Sequence, residues 1–326
     1  MKKRLVILLA AAMLATMMIS VAQAKMVFRV SHTLDPTSHY NKGLMHLDEL
    51  LKKRTNGELS LDIYHSAQIG SERDAIEGVT MGTLEMTLTS SAPLSNFTKT
   101  FMVFDLPFII TDRAKAYKWM DGPEGQKILD SLKKQNMVGL SIWENGFRQI
   151  TNSKVDVKKP EDMKGLKIRL MENPVHIATF KELGAYPTPI PFGELFTAMQ
   201  QKTVDGQENP LVIISTSKFN EVQKYLTLSG HFYAPAILLI NKDVWEKKLT
   251  DEQRKIMTES IAEARDWERN YSAEMDGKLA GELEKAGMVV STPDKAEWAK
   301  TLAPVYKQFE SVIGKDVIQS LIDAQK

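Results

Sequence analysis

Two arginines carry the residue types best suited to holding an anion. Arg148 lies in Trp143-Glu-Asn-Gly-Phe-Arg-Gln-Ile-Thr-Asn152, and Arg169 lies in Gly165-Leu-Lys-Ile-Arg-Leu170. A guanidinium presents parallel N–H donors that match the two oxygens of a carboxylate. Read alone, each is either such a clamp or half of a surface ion pair. The run Asp205-Gly-Gln-Glu-Asn-Pro210 adds a carboxamide, Asn209, in what reads as a glycine turn closing the preceding helix. Other chemistries are weakly supplied. The six histidines include no HxH or HExxH pair. His32, His39 and His46 are evenly spaced, but His32 falls at a strand end, so they do not share one helix face. GxSxG and GxGxxG are absent. Ser131-Leu-Lys-Lys134 and Ser215-Thr-Ser-Lys218 match SxxK without the companion motifs of serine enzymes and read as solvated helix surface. No catalytic group, metal site or cofactor is expected.

Elements that would position these residues follow from periodicity. Val27 to Ser31 alternates as a strand. His39 to Thr55 is a helix with Leu44, Leu47 and Leu51 on one side and Gly57 as its stop. Leu59, Leu61 and Ile63 share a strand face, Ser71 caps a helix, and Leu84, Met86 and Leu88 mark the next strand. Met137 to Trp143 and Phe147 to Thr151 read as two strands. Leu166, Ile168 and Leu170 face one way, leaving Lys167 and Arg169 on the other face. Helices are expected over 174–183 and 193–202. An uninterrupted pattern over about 250–286 reads as one long helix, or as two broken near Gly277 or Gly281. The alternation of strands and helices indicates an α/β fold.

Composition narrows the setting. Lys2, Lys3 and Arg4 precede an apolar run from Leu5 to Ile19, and Ala22-Gln23-Ala24 has the small-x-small form of a cleavage site. Residues 1–24 are therefore expected to be a signal peptide, the apolar run being too short for a spanning helix; an uncleaved anchor is the alternative. Cysteine is absent, which removes disulfides, thiolate metal sites and a lipid-anchoring cysteine. A free periplasmic protein is the expectation. Losing the three basic residues takes the formal charge from +1 to about −2. A nearly neutral surface has no broad field for nucleic acid. The remaining length suits two lobes, and without a Pro/Gly/Ser linker the chain should cross between them more than once.

Six motifs in register resemble one family: AQIG at 67–70, NGFRQ at 145–149, MKGLKIR at 163–169, PTPIPFGELFTAMQ at 187–200, VDGQENP at 204–210 and KFNEVQKYL at 218–226. The combination resembles the DctP-type solute-binding proteins of TRAP transporters. The resemblance implies a two-lobed periplasmic binding protein fold, with mixed sheets, strand crossovers and a long helix spanning both lobes. Lobe I would comprise 25–145 plus 235–270, and lobe II 146–234 plus 271–326. It further implies that Arg169 pairs with a ligand carboxylate, with Arg148 near it, Asn209 contacting the ligand and Phe192 packing on its carbon skeleton. His32, Glu72 and Ser90 fall where first-lobe polar specificity groups occur. The implied partners are a small organic acid and membrane permease subunits driven by an ion gradient, with the chain acting as a monomer. The WENGFR and EVQKYL stretches resemble members that bind sugar-derived acids, so a hexuronate or related sugar acid is expected over a C4-dicarboxylate. A ligand-presenting partner of a sensor would look alike in sequence.

Overall fold

A computed structural model of the chain describes residues 25–326; the expected signal peptide, 1–24, lies outside the described residues. Strand β1, Met26–Ser31, buries Phe28 and Val30 and turns Val27 and Arg29 outward. Helix α1, His39–Arg54, starts where the Ser38 hydroxyl accepts the Asn41 N–H, and it buries Leu44, Leu47 and Leu51. Asn56 and Gly57, both at positive φ, then turn the chain into β2, Leu59–Tyr64, parallel to β1. Helix α2, Glu72–Met81, opens on a capping box in which Ser71 and Asp74 satisfy each other's backbone N–H groups. Strand β3, Met86–Ser90, leads into the short α3, Ser91–Leu94, then α4, Arg113–Met120, and α5, Pro123–Asp130.

One strand, β4, covers Met137–Asn152 where two were expected. Gly146, at φ +125°, sits at a register shift between Glu144 and Gly146 and lets the strand bend without ending. Next come β5, Lys167–Leu170; α6, Pro174–Glu182; β6, Tyr186–Pro189; and α7, Phe192–Gln200. The Asp205–Pro210 run is also not a simple turn: Gly206–Pro210 forms β7, buried along its length between β4 and β5. Gly206 is required there, since a Cβ would lie 2.2 Å from the Thr151 carbonyl oxygen. After α8, Leu211–Thr216, the second long strand, β8, runs from Tyr225 to Asn241. Helix α9, Asp251–Lys285, is continuous through Gly277 and Gly281. β9, Val289–Ser291, α10, Lys295–Ile313, and α11, Lys315–Ala324, complete the chain.

The strands form one mixed sheet in the order β2-β1-β3-β8-β4-β7-β5-β6, with β9 on β8. The antiparallel pair β4 and β8 passes through both halves of it. Ala236–Ile240 of β8 pair with β3, whereas Tyr225–Thr227 pair with β9; Arg148–Asn152 of β4 pair with β7. Alternate side chains of β8 enter different cores, Ile237 and Leu239 on one face and Ala236, Leu238 and Ile240 on the other. The cores are thus divided by sheet face, and each contains residues from both halves. The 35-residue α9, about 52 Å long at 1.5 Å per residue, packs on α1 and β4 and reaches α8 and β9.

Candidate functional site

The C-terminal ends of β3, β5 and β7 converge with the start of α2 and the start of α7 around one cleft. Its outer chamber has a volume of about 440 Å³ and is walled by Glu72, Arg73, Arg169, Met171, Glu172, Ile190 and Phe192, among others. A narrow inner end continues past Arg169 and has room for about one water-sized group. Its walls add Tyr40, Ser90, Asn145, Asn209 and Ile213. Five of the expected site residues, Glu72, Ser90, Arg169, Phe192 and Asn209, therefore line one continuous space.

Arg169 is 1 % exposed. Its Nε donates to the Ile190 carbonyl at 2.8 Å, and Nη1 is buried without a partner. Among the described residues it forms no ion pair. Burial pushes the guanidinium down to about 10, with Glu208 acting in the opposite sense, so it stays cationic at neutral pH. The Phe192 ring centre lies 5.8 Å from its guanidinium carbon. A buried cation without a counterion is costly unless an anion arrives.

Glu72 is held at the N-terminus of α2. One carboxylate oxygen accepts the Ser90 N–H at 2.8 Å and the Thr89 hydroxyl at 3.0 Å. That grip fixes the carboxylate on the cleft wall, which Arg169 also lines. Asn209 Nδ2 donates to Gln207 at 2.5 Å, and its carbonyl oxygen accepts Arg148 Nη2 at 3.1 Å.

Arg148 and His32 are not among the cleft walls. Arg148 is fully buried behind Asn209, with Nε donating to Glu208 and Nη2 donating to both the Glu208 carboxylate at 2.9 Å and the Glu208 backbone carbonyl at 2.6 Å. Only Nη1 is without a partner. Burial opposes ionisation of Glu208, yet Arg148, with His231 3.5 Å away, holds its carboxyl far below the usual range. His32 bonds Asn41 at 3.2 Å beneath the start of α1, and burial pushes its ring down to about 4.

Sequence reasoning passed over Tyr40 and Asn145. Tyr40 belongs to the buried side of α1 and reads as core; Asn145 stands inside the NGFRQ motif, so the signal was present there. Across the cleft mouth Arg73 meets Glu172 at 2.7 Å, and Asn96 Nδ2 donates to the Glu172 carbonyl at 2.8 Å. A second groove, of about 500 Å³, over Lys133, Trp245 and Arg254 has no buried unpaired cation. Among the described residues no cluster of metal ligands exists, and no helix is long and apolar enough to cross a membrane.

Residues 30–312 match the family model DctP, bacterial extracellular solute-binding protein, family 7. A solute-binding protein of Verminephrobacter eiseniae is 40 % identical over 305 residues, 93 % of this chain and 91 % of that one. The crystal structure of a sugar acid binding protein from Advenella mimigardefordensis in complex with galactonate superposes with a TM-score of 0.90 at 36 % identity, covering 93 % of this chain and 98 % of that one. A TRAP periplasmic solute binding protein from Shewanella oneidensis with bound succinate gives 0.89 at 28 % identity, covering 93 % and 100 %. With its crossed strands, its bracing helix and a match over most of its length, the chain belongs to the DctP family of bacterial extracellular solute-binding proteins.

Proposed function

We propose that the chain captures a sugar acid, such as a hexuronate, in the periplasm and delivers it to a TRAP-type membrane permease. The observation that carries this reading is Arg169, a buried guanidinium with an unpartnered Nη1 at the junction of the two chambers. It takes the ligand carboxylate as a fork. Arg148, whose charge is balanced by Glu208, acts by orienting Asn209, which contacts the ligand. Phe192 covers the carbon skeleton, and Glu72, Ser90 and, from behind, His32 form the first-lobe side. Lobe I is assigned to 25–145 plus 235–270 and lobe II to 146–234 plus 271–326, and the bend of β4 at Gly146 is the hinge. Closure removes water from the carboxylate and strengthens its pairing with Arg169.

Glu72 supports a hydroxylated acid, since a carboxylate accepts from hydroxyls and repels a second carboxylate. Similar chains hold galactonate and succinate. A thermal-shift screen against sugar acids and C4-dicarboxylates tests the choice, because a ligand at 100 times its Kd adds about 2.7 kcal/mol of stability. Stabilisation by succinate or malate, with no response to uronates or aldonates, overturns the sugar acid in favour of a dicarboxylate.

A further inference from the structure

The inner end of the cleft holds polar atoms that the carboxylate clamp leaves unused. The Tyr40 hydroxyl and the Asn145 side-chain carbonyl oxygen are both buried without a hydrogen-bond partner. Both side chains line the inner end, and they are 2 % and 3 % exposed. Asn145 is oriented: its Nδ2 donates to the Ser90 hydroxyl at 3.3 Å, which turns its carbonyl oxygen away from Ser90. Unsatisfied buried polar atoms are rare and costly, and they gather where a ligand or water completes them.

The two atoms are complementary to one kind of group. A tyrosine hydroxyl donates, an amide carbonyl accepts, and a hydroxyl placed between them does both. The space admits about one water-sized group, so neither a second carboxylate nor a methyl-bearing branch fits beside them. Glu72 on the same wall adds negative charge and further disfavours a carboxylate. Arg169, Glu72, Met171 and Phe192 line both chambers, so the inner end adjoins the place where Arg169 would hold a carboxylate and faces the carbons nearest to it.

We propose that Tyr40 and Asn145 form a hydroxyl-reading subsite that selects acids bearing a hydroxyl on the carbon next to the carboxylate. This rests on the reading of Arg169 as the carboxylate clamp. Its ligand class is the 2-hydroxy acid, which narrows the sugar acid from a ring-form hexuronate, whose carbon next to the carboxylate bears the ring oxygen, to open-chain aldonates. An acid lacking that hydroxyl leaves Tyr40 and Asn145 unpaired or traps a water between them. Sites built to bond a hydroxyl reject the analogue without it more strongly than apolar pockets reject an extra group.

The test is titration calorimetry with D-galactonate and 2-deoxy-D-galactonate on wild type, Tyr40→Phe, Asn145→Ala and Arg169→Lys. Wild type is expected to prefer the hydroxylated acid by about tenfold or more. In Tyr40→Phe and Asn145→Ala that preference falls to about threefold or less, while affinity for the deoxy acid stays within about twofold of wild type. Tyr40→Phe removes one oxygen from a ring that keeps its packing, so it serves if Asn145→Ala fails to fold. Equal affinity of wild type for the two acids overturns the subsite. So does a Tyr40→Phe loss of the same size for both acids, which would place the tyrosine on the carboxylate. Failure of the clamp reading looks different: Arg169→Lys then binds both acids as wild type does, and the subsite falls with it.

Discussion

The Arg169 side chain is enclosed without an ion-pair partner among the described residues, a desolvation cost that an anion bound there would relieve. Arg169→Lys keeps the charge and loses the two-pronged donor. Calorimetry should show at least about a tenfold loss of affinity, on the order of 1.4 kcal/mol; near-native binding would leave Arg169 outside the recognition step. Glu72→Gln keeps the shape of a side chain already fixed by Ser90 and Thr89. Affinity for a hexuronate should fall, since a charge-assisted bond of about 1.5–3 kcal/mol is weakened. For succinate the sign reverses, because a repulsion is removed, and a titration with each acid reads the difference. At this scale the sequence conveyed types and hid partners. Arg169 and Asn209 stand in motifs, so their place in the cleft could be expected. That Arg148 is tied up by Glu208 could not, because the two are 60 positions apart and meet only through the pairing of β4 with β7.

Helix ends and interiors show which local rules survived folding. The Ser71 cap, the start of α9 near residue 250 and the stop after α1 at Gly57 follow from side-chain and φ requirements that act within a few residues, so they were legible. The unity of β4 was not, because a glycine inside an apolar run reads as a break unless a neighbouring strand holds it. β7 was hidden for the same reason: five residues with three polar side chains and a proline become a strand only between two others. In α9, a Cβ at Gly277 or Gly281 would meet nothing within 4 Å. Gly277→Ala and Gly281→Ala should each stabilise the fold by about 0.5–1 kcal/mol, seen as a raised Tm.

The turn into α1 carries a pH dependence. In the unfolded chain His32 takes a proton near pH 6.5, whereas in the folded chain burial holds it off until about pH 4. The unfolded state binds more protons throughout that window. The His32 contribution is therefore full above about pH 6.5 and is lost as pH falls toward 4, by about 2 kcal/mol at pH 5. His39, pushed down to about 3 mainly by burial, acts in the same sense. Glu268, raised by burial, acts in the opposite sense. Urea unfolding of wild type and His32→Gln at pH 7.5 and pH 5 isolates the share of His32: the variant should lose less stability between the two.

At the scale of the whole molecule, the ion pair of Arg73 with Glu172 joins α2 to the segment after β5 across the cleft mouth. Both side chains are about half exposed, so the pair is worth only about 0.2–1 kcal/mol, screened by salt. Glu172→Gln should weaken ligand binding by less than about fivefold, through faster release, and the effect should vanish in high salt. An exported preparation should begin at Lys25 on N-terminal sequencing; a start at Met1 would remove the periplasmic assignment.

Because β4 and β8 each belong to both halves, and each core draws on both, no cut in the chain frees a lobe that keeps its own strands. Gene fragments of this protein are not interchangeable modules. A recombination event that exchanged one lobe with a relative would import half of two strands and leave mismatched registers on both sides of the cleft. Diversification of ligand preference must then proceed by substitutions on a fixed scaffold, concentrated at cleft-lining positions such as Tyr40, Glu72, Ser90 and Asn145. In directed evolution, saturation of those positions should yield more altered-specificity clones than libraries made by shuffling.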